Sequence, residues 1–180
     1  MIPSAKNCLQ FMEKYRMLAN IRAHSIMVEK VASVIAIGLR DAGVDISLQK
    51  TTAGALMHDI GKTPCLNSGG DHAAKGEEIC LENHLDEIAE IVREHVRLKN
   101  YEPCAAISEK DIVYYADKRV NHDMVVSLEE RLKYLLGHYG RNKKHLNELI
   151  RENFELCKLV EKKIFTKLSF GPDDLPDMIK

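Results

Sequence analysis

Tryptophan is absent from this sequence, and its 180 residues hold only 5 prolines and 10 glycines. That scarcity excludes collagen-like and low-complexity chains, and 45% hydrophobic with 29% charged residues is a globular balance. An excess of one charge is missing too. Lys+Arg number 26 and Asp+Glu 27, a formal net charge of -1, so no overall field draws the chain to nucleic acid or to an anionic membrane. Any phosphate-bearing partner must be held locally. The longest apolar run, Val31 to Leu39, includes Ser33 and Gly38 and falls far short of the ~20 residues needed to span a bilayer. The N-terminus, MIPSAKNCLQFMEKY, lacks a basic segment followed by an apolar one, so no secretory leader is expected. Cys8, Cys65, Cys80, Cys104 and Cys157 are scattered, odd in number and without a C-x-x-C pair, which argues against a disulfide framework or a zinc knuckle and suits a reducing cytoplasm.

Strict apolar alternation is hard to find, whereas apolar residues at helical spacing dominate, and the chain reads as all-α. Ser4 opens a first helix running to about Ala19. A second runs from about Ile21 to Ala42 and stops at Gly43, and Ser47 caps a third that ends at Gly61. Residues Lys62 to Asp71 concentrate Pro, Gly, Ser and Asn and are expected to form the main internal loop. Further helices fit Ala73 to Glu82 and Leu85 to Leu98. Capping-box pairs, Ser108 with Asp111 and Ser127 with Glu130, open two more. A long amphipathic helix is expected from Asn142 to Leu168, followed by a frayed tail over residues 171–180. One domain of 180 residues accounts for the whole.

Histidine is the outlier, with 8 residues. His24 shares a helix face with Val28, Val31 and Ile35, so its imidazole points at the core, where a lone histidine ordinarily bonds a carbonyl. His58 and Asp59 close the third helix, and His72 starts the helix after Gly69 and Gly70. His95 shares a face with Ile88, Ile91 and Val92, and Asp117 follows Val113 and Tyr114 at the same spacings. A buried Asp without a cation or several donors is costly. Imidazole and carboxylate are ligands that divalent transition metals accept, and inward polar groups on different helices suggest a common partner. His122 and Asp123 repeat the dipeptide in a mostly polar run that reads as a helix end. His84, His138 and His145 sit among polar neighbours and default to the surface. The RNKKH stretch at Arg141 to His145 is more simply exposed than bound to nucleic acid.

The order His24, His58-Asp59, His72, His95, Asp117, with the flanks HDIGK, HAAKGEEI, REHV and IVYYADKRV, resembles the HD superfamily of metal-dependent phosphohydrolases, specifically its members with an HDIG-type motif. The likeness covers about residues 21–120, and the helices over 127–168 look like family-variable decoration. The resemblance implies a helical bundle of the HD-domain type in which His24, His58, Asp59 and Asp117 ligate one metal. Asp59 would bridge to a second ion held by His72 and His95. One or two divalent ions are implied (Fe, Mn, Ni, Co or Zn, with Mg as a further option). Asp59 and Lys62 are the candidate catalytic residues, and Lys62, Arg97, Lys118 and Arg119 the candidate contacts to a small phosphorylated substrate. A nucleotide is the expected substrate class, with a dinucleoside tetraphosphate as the first specific choice. The competing reading is a regulatory module that keeps a metal or nucleotide site with weak or no hydrolysis, and a purely structural adaptor must explain why the polar groups turn inward.

Overall fold

The computed structural model describes residues 1–66, 69–140 and 143–179. It bears out the all-α reading. Helix α1 (Ala5–Lys14) starts at a capping box between Ser4 and Asn7. Helix α2 (Ala19–Asp41) ends before Gly43, whose φ of +80° is a left-handed conformation that glycine adopts without strain. The Ser47 hydroxyl accepts from Lys50 N to cap α3 (Leu48–Met57). That helix stops short of Gly61, because His58 to Gly61 turn the chain. The expected loop then opens with a short helix, α4 (Lys62–Cys65), in which Pro64 is tolerated because the first turn needs no donor from it. Asn67 and Ser68 of that loop lie outside the described residues.

Asp71 accepts from Ala73 N and Ala74 N at the start of α5 (His72–Glu82). Helix α6 (Asp86–Glu94) ends earlier than the pattern suggested, with the Glu94 carboxylate accepting from Lys99 N at 3.1 Å. Both expected capping boxes form, opening α7 (Glu109–Lys118) and α8 (Leu128–Tyr139). Between them lies a hairpin of β1 (Val120–Asn121) and β2 (Met124–Val125), paired antiparallel, where a plain loop was expected. The last long helix is α9 (Lys144–Phe165). Asn142, its expected start, lies outside the described residues.

The tail expected to be frayed is docked. A 3-10 turn (Pro172–Asp174) leads into α10 (Leu175–Met178), and Leu175 is fully buried. The Pro172 carbonyl accepts from Arg119 Nη2 at 2.9 Å, giving that nitrogen of a buried guanidinium its partner.

Two apolar clusters hold the helices. One gathers Val28 and Ile35 of α2, Tyr114 and Tyr115 of α7, and Phe154 and Val160 of α9. The other gathers Met12 of α1, Met57 and Ile60 at the end of α3, Ile79 of α5, and Ile88 and Val92 of α6. Each fully buried Ile, Val or Met contributes about 1.5–3 kcal/mol. Helices α3 and α6 supply residues to both clusters, Ala55 and Ile91 to the first and Leu56 and Val92 to the second. Their C-terminal ends therefore meet where the clusters join. None of the cysteines is in a disulfide, and no described helix is long and apolar enough to cross a membrane.

Candidate metal centre

The helix ends deliver the polar residues. His24 comes from α2, His58 and Asp59 from the turn after α3, His72 from the first position of α5, His95 from the residue after α6, and Asp117 from α7. The ring nitrogens are assigned by their partners. His24 Nδ1 lies 2.8 Å from the His122 carbonyl, His58 Nδ1 2.7 Å from Ala55 O and His95 Nδ1 2.7 Å from Val92 O. A carbonyl can only accept, so each Nδ1 carries a proton, and in its neutral form each ring presents a bare Nε2 to the centre.

Those lone pairs face carboxylates. His58 Nε2 is 3.3 Å from Asp59 Oδ2, and His95 Nε2 is 3.3 Å from Asp59 Oδ1 and from His72 Nε2. Asp117 Oδ1 stands 3.0 Å from His24 Nε2 and 3.7 Å from His58 Nε2. Among the described residues, His58 Nε2 and Asp59 Oδ1 are buried without a hydrogen-bond partner, and Asp59 Oδ2 is buried against Lys62 Nζ. Buried acceptors turned on one another are unfavourable unless a cation lies among them, so the donor set fits divalent metal. His24, His58 and Asp59 form one group whose ligand atoms lie within 4.8 Å of one another, and Asp59, His72 and His95 form a second. Asp59 belongs to both.

Electrostatics keep the acids ionised. Burial opposes charge on Asp59, but His58 and Lys62 outweigh it and hold the carboxyl well below the usual range. Lys62 Nζ forms an ion pair with Asp59 Oδ2 at 2.6 Å. Asp117 is likewise lowered against burial, chiefly by Lys118, whose Nζ lies 3.1 Å from Asp117 Oδ2 and donates to the His95 carbonyl. One buried ammonium thus ties together the ends of α6 and α7. Burial, then the neighbouring His95, push His72 down to about 4, and burial also lowers His95, so both rings are neutral as ligands must be. At His58 burial is outweighed by Asp59, which raises the imidazole above its ordinary value.

Gly61 sets how closely α5 approaches. A Cβ there would collide with the His72 carbonyl and lie 2.6 Å from Gly76 N, both backbone atoms with little room to move. Gly61→Ala is therefore expected to push α5 and His72 away from Asp59 and to destabilise the fold by about 1–3 kcal/mol. A thermal melt and metal analysis check this; an unchanged melt with full metal content would show that α5 accommodates the methyl group.

A cavity of about 500 Å³ adjoins the cluster, lined in part by Lys62, His72, His95, Asp117 and Lys118. The rest of the lining comes largely from α8 and α9, with Arg131, Leu135, Tyr139, Leu146, Ile150 and Asn153. These helices, expected to be decoration, are a wall of the cavity. A larger depression of about 670 Å³ between Tyr101 and Lys167 contains none of the clustered ligands. Of the candidate substrate contacts, Lys62 and Lys118 reach the cavity and the other two do not. Arg97 is exposed, 4.0 Å from Glu152. Arg119 is buried against Tyr115 OH, Val126 O and Pro172 O, committed to holding the hairpin and tail. The second His-Asp pair stays out of the cluster, because His122 is exposed and only its carbonyl touches His24. Arg131 escaped the sequence reading because a lone arginine on a charged helix face has no local signal; only the i, i+4 run of Leu146, Ile150 and Phe154 hinted that α9 covers something.

The HD domain family matches residues 21–132, more than half of the chain. The chain belongs to the HD domain family. HD domains form a superfamily of metal-dependent hydrolases, in keeping with the His/Asp groups described above. An uncharacterised protein of Methanocaldococcus jannaschii is 25% identical over 157 residues, covering 79% of this HD-domain chain and 90% of that protein. A tRNA (cytidine(56)-2'-O)-methyltransferase of Picrophilus torridus is 30% identical over 145 residues, 72% of this chain but 40% of the methyltransferase. The enzyme of the same name from Thermoplasma volcanium is 34% identical over 96 residues, 53% of this chain and 26% of its own length. The chain therefore matches less than half the length of either methyltransferase. No solved structure matches it.

Proposed function

We propose that this chain is a metal-dependent phosphohydrolase acting on a phosphate ester or anhydride of a nucleotide. The observation that carries the reading is Asp59, whose buried carboxylate belongs to two ligand groups beside a cavity and faces His58 Nε2 and His95 Nε2 at 3.3 Å. His24, His58, Asp59 and Asp117 would hold one divalent ion, and Asp59, His72 and His95 a second. Such ions, when bound, acidify a water and neutralise charge on the phosphate. The chain's own residues orient the parts. The carbonyls of His122, Ala55 and Val92 fix the tautomers of His24, His58 and His95, and Lys118 holds Asp117 in place. Lys62 Nζ, at the cavity edge against Asp59, would donate to a phosphate oxygen. In the reaction a water oxygen bonds to phosphorus, the phosphorus–oxygen bond to the leaving group breaks, and the water's proton ends on the leaving oxygen.

A regulatory module with weak or no hydrolysis is the second reading. It is favoured by the two relatives in which the matching segment lies inside a longer protein named as a tRNA methyltransferase. Elemental analysis of the purified protein, joined to a nucleotide screen with Mn, Mg, Co, Ni and Fe, separates the two. The hydrolase reading expects bound metal and turnover of at least one nucleotide; metal without turnover across the screen would favour the module.

A further inference from the structure

The cations lining the cavity differ in how their charges are committed. Lys62 is paired with Asp59 at 2.6 Å and Lys118 with Asp117 at 3.1 Å, so neither has its whole charge to spare. Arg131 of α8, lining the same cavity, has no carboxylate at ion-pair distance among the described residues. Its Nη1 donates to the neutral side chain of Asn121 at 2.7 Å, and its Nε is buried with no hydrogen-bond partner. A guanidinium held in place by a neutral group, with an orphaned donor, keeps its charge for an anion and has the planar fork that matches phosphate oxygens. Beyond it the lining turns apolar with Leu135, Leu146 and Ile150, and the ring of Tyr139, 53% exposed, stands at the rim.

We infer that Arg131 recognises a single phosphate group and that the α8 and α9 wall takes one nucleoside-sized organic group, making a nucleoside monophosphate the preferred substrate. The inference rests on the phosphohydrolase reading and narrows it. One uncommitted guanidinium beside the ligand cluster balances one phosphate. A polyphosphate chain, including the dinucleoside tetraphosphate expected from the sequence, brings more anionic oxygens than the described lining has cations to spare. The apolar stretch gives a base and ribose a surface that inorganic pyrophosphate would leave empty. Hydrolysis then joins a water oxygen to phosphorus, breaks the bond from phosphorus to the ester oxygen and leaves the proton on the nucleoside hydroxyl, releasing nucleoside and inorganic phosphate.

The test compares wild type, Arg131→Met and Arg131→Lys as full chains with bound metal. Hydrolysis of adenosine monophosphate, diadenosine tetraphosphate and pyrophosphate is measured, together with calorimetric binding of adenosine monophosphate. In Arg131→Met the KM and Kd for the monophosphate should rise about 10- to 100-fold, since a charged hydrogen bond to the phosphate is lost, and kcat should fall as well to the extent that the bond strengthens as the phosphate reacts. Arg131→Lys should recover part of that loss, and metal content and melting temperature should be unchanged in both. Equal KM and Kd in wild type and Arg131→Met, or preference for the tetraphosphate or pyrophosphate, overturns the inference and leaves the hydrolase reading standing. Binding of the monophosphate that depends on Arg131 without any hydrolysis overturns the hydrolase reading and leaves the recognition role standing. Neither binding nor hydrolysis overturns both.

Discussion

Asp59→Ala is expected to leave a helical protein that retains no stoichiometric metal and hydrolyses nucleotides on the order of 10³-fold more slowly than wild type. Among the described residues no other side chain belongs to both ligand groups, so its loss takes a ligand from each at once. The fold should survive for a local reason. Removing the carboxylate relieves the acceptor crowding around His58 and His95, and its cationic partner Lys62 is 37% exposed and can turn to water. The helices are held by the two apolar clusters on either side, which this substitution does not touch. Circular dichroism, elemental analysis and a hydrolysis assay on one preparation decide it. A folded Asp59→Ala protein with full metal and full activity would end the metallohydrolase reading.

The second large effect separates one ion from two. Changing His72 or His95 to Ala should lower the metal content by about one ion per chain and depress kcat far more than it raises KM, because a lost cation costs transition-state stabilisation. The ion at His24, His58 and Asp117 should stay. The geometry favours this outcome: both Nε2 atoms lie within 3.6 Å of Asp59 Oδ1, on the side of the carboxylate opposite Oδ2 and His58. Had these rings served to bind substrate or carry protons, stoichiometry would hold and KM or the pH profile would move. Elemental analysis alone tells the cases apart, and one ion per chain in fully loaded wild type would defeat the two-ion assignment.

Much of the site was legible because its signals are local. His24 shares a helix face with Val28, Val31 and Ile35, and His95 one with Ile88, Ile91 and Val92, and such a face is written in spacing alone. Lys118 shows where that reading stops. It follows Asp117 directly and reads as a candidate phosphate contact, yet it is buried over the Tyr114 ring at 4.2 Å and bonded to the His95 carbonyl, 23 residues away. Arg119 passes for a phosphate contact until the docked tail is seen to use it.

By itself the sequence determined the helical class, the serine-capped helix starts at Ser4, Ser47, Ser108 and Ser127, and the order of the histidines and aspartates, since capping and amphipathicity act within a turn or two of chain. Only the tertiary structure decided that Asp59 is shared by two ligand groups, that Arg131 rather than Arg97 or Arg119 lines the cavity, and that the last helices enclose it. The reason is separation along the chain. His24 and Asp117 meet at 3.0 Å across 93 residues, and where such partners meet depends on how helices pack against one another, which no local pattern records.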